Sequence, residues 1–507
     1  MFIRMGYKSI HLMLGLIVLL LLSVPVAIKA SVSDDSYKQC EHAVKKWASS
    51  STDPEVKDDK HALRDLLFFL HVPRTGGRTY FHCFLKKLYS NSQECPRSYD
   101  KLRFNPRKAN CRLLSTHDDY SMMSKLPKEK TSVMTILRNP VDRVFSAYEF
   151  SVEVAARFLI HPNLTSVARI SKRLRRKSTG ISTLDIWPWK YLVPWMREDL
   201  FTRRDNRKLR GQKHLITNNS YDMEDMVMPL HDYINDPIAR EIIHNGATFQ
   251  IVGLTNNSYY ADAHEVRHCV LKYRSLGKYV LEVAKKKLDH MLYVGLTENH
   301  KESATMFANI VGAQVISQHT HSNSSKDVEA NSDSEQDSDT KSDANDQGNT
   351  TDQTLANVSS TNKDDAERSN LTVPKLMEAY ETCISSLRGS QSERRFNSLK
   401  RISPANFTKE ARRQVPEELI QEIQSLNSLD VELYNYAQHI FTQQQAHVMQ
   451  KMVYAEKLES TILTSGYPSF YKSPYWKLML LSISGLLLLL FIFFFVNSRR
   501  RTSKVKL

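Results

Sequence analysis

The sequence predicts an α/β fold in which a central parallel sheet is flanked by helices, with one further helix at the C-terminus that spans a membrane. Three observations predict it. Apolar runs of strand length end at a turn and pass into helical periodicity at "LLFFLHV", "SVMTILR", "FQIVGL" and "MLYVGL", the alternation that builds parallel sheets. Farther on, Leu419, Ile423, Leu426, Leu429, Leu433 and Tyr436 recur at three- and four-residue steps behind Pro416, Glu417 and Glu418, a helix start followed by an apolar stripe. Near the end, Leu478–Val496 carries no charge over 19 residues, enough to cross a bilayer.

The two ends set the topology. Arg4 and Lys8 precede an apolar run, Leu12–Ile28, with Ala30 as the small residue of a cleavage site; this reads as a secretory signal over 1–30, with an uncleaved anchor as the alternative. Tyr475 and Trp476 flank the C-terminal span on one side and Arg499, Arg500 and Arg501 on the other, so the basic tail is cytoplasmic and the body lumenal, a type I arrangement. N-x-[ST] triplets at Asn163, Asn218, Asn256, Asn323, Asn349, Asn357, Asn370 and Asn406 fit a lumenal body. In that compartment the six cysteines meet oxidising conditions, and Cys95 with Cys111 is the preferred pair because it closes a short loop. No CxxC or His/Cys spacing points to a metal site.

Net charge is +15 over 507 residues, unevenly placed: Lys326–Arg368 carries −8 and the remainder +23. Such a surface prefers anionic partners. Nucleic acid is set aside for a lumenal, membrane-anchored chain, leaving acidic peptides, anionic glycans and phosphorylated nucleotides. The acidic stretch is rich in Ser, Asn and Asp and poor in large apolar residues, so it cannot repay its ordering entropy and is expected to be a disordered insertion. The expected order is signal 1–30, lumenal domain 31–316, insertion 317–370, helical continuation of the domain 371–456, stem 457–477, membrane helix 478–496 and basic tail 497–507.

Within the first part of the domain, "FFLHVPRTGGRTYF" breaks a strand at Gly76-Gly77 and resumes as a helix. Strand, glycine turn, helix is the arrangement in which backbone N–H groups and a helix N-terminus hold a phosphate. The chain has only 15 glycines, so a doublet there is informative. Arg74 and Arg78 add positive charge, and Thr75 and Thr79 add hydroxyl donors. Neither the Walker loop nor the dinucleotide fingerprint is present; a ligand-free tight turn is the bland alternative.

A second strand-to-helix step, "TILRNPVDRVFSAYEF", places Arg138 at a strand end and Ser146 on the second turn of the helix, where both reach one anion; arginine suits phosphate through its planar fork. Between the two lies "CRLLSTHDDYSMM", with His117 beside Asp118 and Asp119. Neighbouring carboxylates orient a histidine and raise its basicity, as a general base requires.

Together these pieces resemble the sulfotransferases that use 3′-phosphoadenosine 5′-phosphosulfate (PAPS). "HVPRTGGRT" is similar to their 5′-phosphosulfate loop, and Arg138 with Ser146, in the pattern R-x-P-x-x-R-x-x-S, to their 3′-phosphate site. "STHDDY", "VGLTENHKESATMFANIVG" and "LNSLDVELYNYAQHIFTQQ" resemble the heparan sulfate 6-O-sulfotransferases in particular. The resemblance implies a P-loop-like sulfotransferase fold, with Arg74, Thr75, Gly76, Gly77, Arg78 and Thr79 on the 5′ side of PAPS and Arg138 and Ser146 on the 3′-phosphate. It further implies His117 as base, Arg74 and the loop amides at the leaving group, 407–412 closing over the nucleotide, and no metal ion.

Two departures refine the expectation. Those glycan enzymes carry lysine where this chain has Arg74, and their anchor is N-terminal. A C-terminal anchor on such a body resembles the plant-type tyrosylprotein sulfotransferases, which implies a Golgi enzyme that sulfates tyrosines near acidic residues in secreted peptide or protein precursors. The alternatives are a 6-O-sulfotransferase-like enzyme acting on a sugar hydroxyl and a lumenal receptor that keeps the nucleotide fold without catalysis.

Overall fold

Strands that are covered on both faces read as unbroken apolar runs, and the sheet here shows the effect. In the computed structural model, which describes residues 35–51, 61–95, 111–160, 221, 228–324, 371–399, 407–465 and 475–502, β1 (Leu66–Leu70), β3 (Thr131–Leu137) and β4 (Tyr293–Leu296) are buried at every position, and β2 (Leu113–Thr116) at all but one. All pairings are parallel and the order is β2-β1-β3-β4. The register sets Leu70 beside Thr116 and Thr135, and Leu137 beside Leu296. β3 and β4 therefore end two residues beyond β1 and β2, and the residues that follow the four strands, His71, His117, Arg138 and Thr297, lie at the same carboxyl end of the sheet.

The helices in chain order are α1 (residues 35–51), α2 (Gly77–Tyr80, continuing through a wider turn at Phe81–Leu85 to Leu88), α3 (Pro140–Ile160), α4 (Leu230–Asn235), α5 (Pro237–Ile243), α6 (Gly246–Val252), α7 (Ala263–Lys272) and α8 (Gly277–Asp289). Then come α9 (His300–Phe307, running on through Ala308–Gly312 to Ser324), α10 (Val373–Leu399), α11 (Lys409–Arg413), α12 (Glu417–Leu426), α13 (Ser428–Ser465) and α14 (Tyr475–Thr502). One apolar core surrounds the sheet; a second joins α3 to Tyr221, α4, α5, α11 and α12.

The structure corrects three local expectations. "FQIVGL" is not a strand: its first residues lie in α6, and the remaining strand is "LLST", Leu113–Thr116. Ala247 to Val252 are all buried, so a short helix enclosed on every side shows the same apolar run as a buried strand. The apolar stripe beginning at Leu419 belongs to two helices rather than one, divided at Asn427, whose buried amide spans from the Ile423 carbonyl to the Asn245 N–H. Helix α9 extends to Ser324, past the boundary expected for the insertion.

Three disulfides bind distant segments: Cys95–Cys111, as expected from its short loop, with Cys40–Cys269 and Cys83–Cys383. Such links stabilise chiefly by restricting the unfolded chain. The second of the long links fastens α2 to α10 from opposite sides of the acidic stretch.

The described residues divide into a unit up to Gln444, which contains the sheet, and a unit from Gln445 onward. In the second unit, the distal part of α13 exposes Met449, Met452, Val453 and Tyr454, and α14 exposes Leu481 and the apolar residues through Val496. Among the described residues no helix is long and apolar enough to cross a membrane; the described side chains of α14 cover Leu481–Asn497 only. The expected signal, most of the insertion and the end of the basic tail lie outside the described residues.

Candidate active site

The loop from His71 to Gly76 leaves β1 with two residues in the left-handed region, Arg74 at φ 70° and Gly76 at φ 82°. Glycine takes that conformation without strain, whereas arginine does so at a cost. Side chains around the loop hold it in place. Thr75, almost wholly buried, donates its hydroxyl to the Val72 carbonyl at 2.8 Å. Thr297, just past β4, donates to the Thr75 carbonyl at 2.7 Å, and Arg138 Nη1 donates to the Arg74 carbonyl at 3.3 Å. Helix α2 begins with no side-chain cap at Gly76, and amides at an uncapped helix start are donors suited to an anion.

Gly77 has a different reason to be glycine. A Cβ there would come within 2.2 Å of the His71 ring, so the imidazole lies directly on the first turn of α2. The same ring stacks on Phe69 at 5.2 Å and meets the His117 ring at 4.2 Å between centroids. This follows from register: His71 and His117 are the first residues past Leu70 and Thr116, which are partners in adjacent parallel strands.

One ring nitrogen of His117 is held by backbone. Its Nδ1 lies 3.0 Å from the His71 carbonyl; a carbonyl only accepts, so Nδ1 carries the proton and Nε2 carries the lone pair, the tautomer of a general base. The Asp118 carboxylate accepts from Thr116 at 2.8 Å, and Asp119 accepts from Ser121 and from the Thr255 amide and hydroxyl. Burial pushes the Asp119 carboxyl up from its ordinary value, opposed by those donors. Gln250 on α6 supports both histidine loops, its side-chain amide donating to the carbonyls of His71 (3.1 Å), His117 (3.0 Å) and Asp118 (3.2 Å).

On the other side of the loop, the expected anion residues converge. Asn139 starts α3 by accepting from the amides of Val141 and Asp142, as a capping residue does. That cap leaves Arg138 at the strand end and Ser146 on the second turn. Arg74 donates to the Ser146 hydroxyl from Nε at 3.0 Å and from Nη2 at 2.9 Å, while its guanidinium carbon lies 4.4 Å from the Phe150 ring centroid. Arg138 Nε has no hydrogen-bond partner among the described residues and lies 3.9 Å from Glu298 Oε1; burial lowers its pKa from the ordinary value. An orphaned, buried arginine N–H at a strand end that leads into a helix start fits a phosphate. Arg78 is exposed and Thr79 half-buried on the first turn of α2.

Two further arginines bear on α3, one packed against its outer face and one pointing into the core. Arg412 pairs with Asp142 (2.9 Å) and Glu149 (2.7 Å), on the α3 face that carries Ser146. Arg143, the second arginine of the R-x-P-x-x-R-x-x-S pattern, turns away: it is fully buried, donates to the carbonyls of Ile242 and Ile243, and pairs with Asp430 at 2.9 Å. Asp430 in turn accepts from the amides of Ala247 and Thr248, holding α6 and hence Gln250. Sequence reasoning passed over His71, Gln250 and Asp430; the signal available was that histidine follows both "LLFFL" and "LLST".

No family model matches the chain. It is 58% identical over 498 residues to a protein from Arabidopsis thaliana named protein-tyrosine sulfotransferase, a match that covers 96% of this chain and 98% of that protein. An identity of that size over nearly the full length of both places the chain in the protein-tyrosine sulfotransferase family.

Proposed function

We propose that the chain transfers the sulfuryl group of PAPS to the phenol of tyrosines near acidic residues in secreted peptide or protein precursors. The observation that carries this reading is the Arg74–Ser146 contact: the loop that resembles a 5′-phosphosulfate site and the helix that resembles a 3′-phosphate site meet through one guanidinium, with His117 on the opposite side of the same loop.

In the proposed reaction the tyrosine oxygen attacks sulfur, the bond from sulfur to the 5′-phosphate oxygen breaks, and the phenolic proton passes to His117 Nε2; adenosine 3′,5′-bisphosphate leaves. A phenol of pKa about 10 is mostly protonated at neutral pH, so a placed base contributes roughly 10²–10⁴ in rate. Charge growing on the departing phosphate is met by the amides at the start of α2 and by Arg74, donors that count for more in the transition state than before it. Arg138 and the Ser146 hydroxyl hold the 3′-phosphate, with Thr75, Gly76 and Thr79 shaping the loop. Arg78 adds charge at its rim.

The cellular setting belongs to the same proposal. Leu478–Val496 is an uncharged stretch within α14 and at about 1.5 Å per residue approaches the roughly 30 Å of a hydrocarbon core, which supports a single-pass type I anchor. The signal over 1–30 and the sequons support a glycosylated lumenal body, and the family supports Golgi residence.

The test is transfer of labelled sulfate from PAPS to an Asp-Tyr peptide, with Phe for Tyr as control and heparan sulfate as the competing acceptor. Label in the tyrosine peptide alone is the expected result. Label in heparan sulfate alone would replace the phenol by a sugar hydroxyl, and no transfer to either would remove the catalytic reading.

A further inference from the structure

The cavity beside His117 has a second wall that sulfuryl transfer does not use. Arg267 of α7 lines it together with His117, Glu241, Thr255 and Asn256. Arg267 is 6% exposed and its guanidinium packs 4.9 Å from the Phe249 ring centroid. The Nε/Nη2 edge of its fork is half filled: Nη2 donates to the main-chain carbonyl of Glu241 at 3.1 Å and pairs with the Glu241 carboxylate at 3.2 Å, whereas Nε has no hydrogen-bond partner among the described residues. An arginine takes a carboxylate best through two parallel N–H bonds. Here the Nε side of that pair is open and buried, an arrangement that is costly to keep without a ligand.

The resident carboxylate is the more exposed partner. The Glu241 side chain is 33% exposed, against 8% for Arg267, and its Oε2 is shared with the Asn256 side-chain amide at 2.6 Å. A carboxylate entering the cavity finds a partly desolvated arginine whose present counter-ion can swing toward solvent. With an acceptor oxygen at His117, residues flanking that acceptor lie along the same cavity wall.

We propose that Arg267 reads the acidic residue beside the acceptor tyrosine, exchanging the Glu241 carboxylate for that of the substrate. The inference rests on the tyrosine-acceptor reading above. Glu241 is then an internal competitor, and removing its charge improves capture of acidic acceptors, which loss of a purely structural ion pair would not do.

The test measures kcat/KM on paired Asp-Tyr and Asn-Tyr peptides for the detergent-solubilised full chain and for Arg267→Met and Glu241→Gln. The expected result is a wild-type preference for Asp-Tyr that falls about tenfold or more in Arg267→Met, and a KM for Asp-Tyr several-fold lower in Glu241→Gln. Binding of adenosine 3′,5′-bisphosphate reports whether each variant is folded. If Arg267→Met does not fold, Glu241→Gln decides alone: an unchanged or raised KM for Asp-Tyr overturns the proposal. Folded variants that both keep the wild-type preference overturn it too, with the tyrosine reading intact. Wild-type enzyme that sulfates neither peptide removes the tyrosine reading and this inference together.

Discussion

Arg74 binds Ser146 through two N–H groups, Nε at 3.0 Å and Nη2 at 2.9 Å, so an arginine two residues before the glycine doublet meets a hydroxyl from another strand-helix step. Both Arg74 donors are on one edge, and the serine oxygen accepts both while keeping its own proton to give. A phosphate approaching Ser146 therefore meets a hydroxyl already polarised by a guanidinium. Arg138→Ala and Ser146→Ala are expected to weaken affinity for adenosine 3′,5′-bisphosphate, the arginine change by about 1.5–3 kcal/mol for a lost charged hydrogen bond. Calorimetry on the two variants checks this; unchanged affinity in Arg138→Ala would move the 3′-phosphate elsewhere.

For His117, removal of the ring should separate chemistry from binding. His117→Ala is expected to lower turnover by roughly 10²–10⁴ with nucleotide affinity nearly kept. Single-turnover rates alongside calorimetry measure the split. Near-normal turnover would take His117 out of the proton transfer.

Gly77→Ala is expected to disturb the base without touching it. The added Cβ would lie 2.2 Å from the His71 ring, and moving that ring shifts the carbonyl that fixes the His117 tautomer. Overpacking of this kind costs about 1–3 kcal/mol. Denaturant titration should show that loss, and turnover should fall with it; wild-type turnover in a destabilised Gly77→Ala would uncouple the two histidines.

Asp430→Ala leaves Arg143 buried without its carboxylate and the first amides of α6 without their acceptor. Breaking a buried pair from one side costs about 3–5 kcal/mol. Equilibrium unfolding of the variant is the measurement, and a cost below about 1 kcal/mol would show that water replaces the carboxylate.

His244 supplies a pH dependence. Burial is the chief cause that lowers its pKa from 6.5, aided by Arg240, Arg143 and Arg274 and opposed by the hydrogen bond to the Ile234 carbonyl. The folded state thus binds this proton less readily than the unfolded chain. The contribution to stability is fully present above about pH 6.5, and it is lost progressively as pH falls from there toward the depressed folded value. Replacing His244 with Gln should flatten the stability profile on the acid side, seen as a smaller difference in midpoint between pH 7 and pH 5.5.

The strand ends were legible wherever an apolar run met a turn containing glycine or proline. β1 and β3 are readable in that way, and with them the positions of Arg74, Arg138 and Ser146, because a strand end and a helix cap are local events; β4 is readable instead from an apolar run that passes into helical periodicity. β2 was hidden because "LLST" is too short to show a period, and α6 was mistaken for a strand because it is buried on all sides. His71 was missed for a physical reason: its importance comes from lying beside His117 across a parallel pair, a relation that no local pattern records. Asp430 acts on residues far before it in the chain, beyond the reach of spacing arguments. The sequon at Asn256 could be recognised, but its side-chain nitrogen is committed to Glu241 at 2.6 Å, a commitment visible only after folding.

Cys83 and Cys383 are joined across a separation of 300 residues. Ribosomes deliver Cys83 early and Cys383 late, so the helix behind the glycine doublet receives its covalent fastening only after most of the polypeptide has been translated. Maturation of this end of the sheet waits on a late oxidation, set by thiol chemistry as much as by packing.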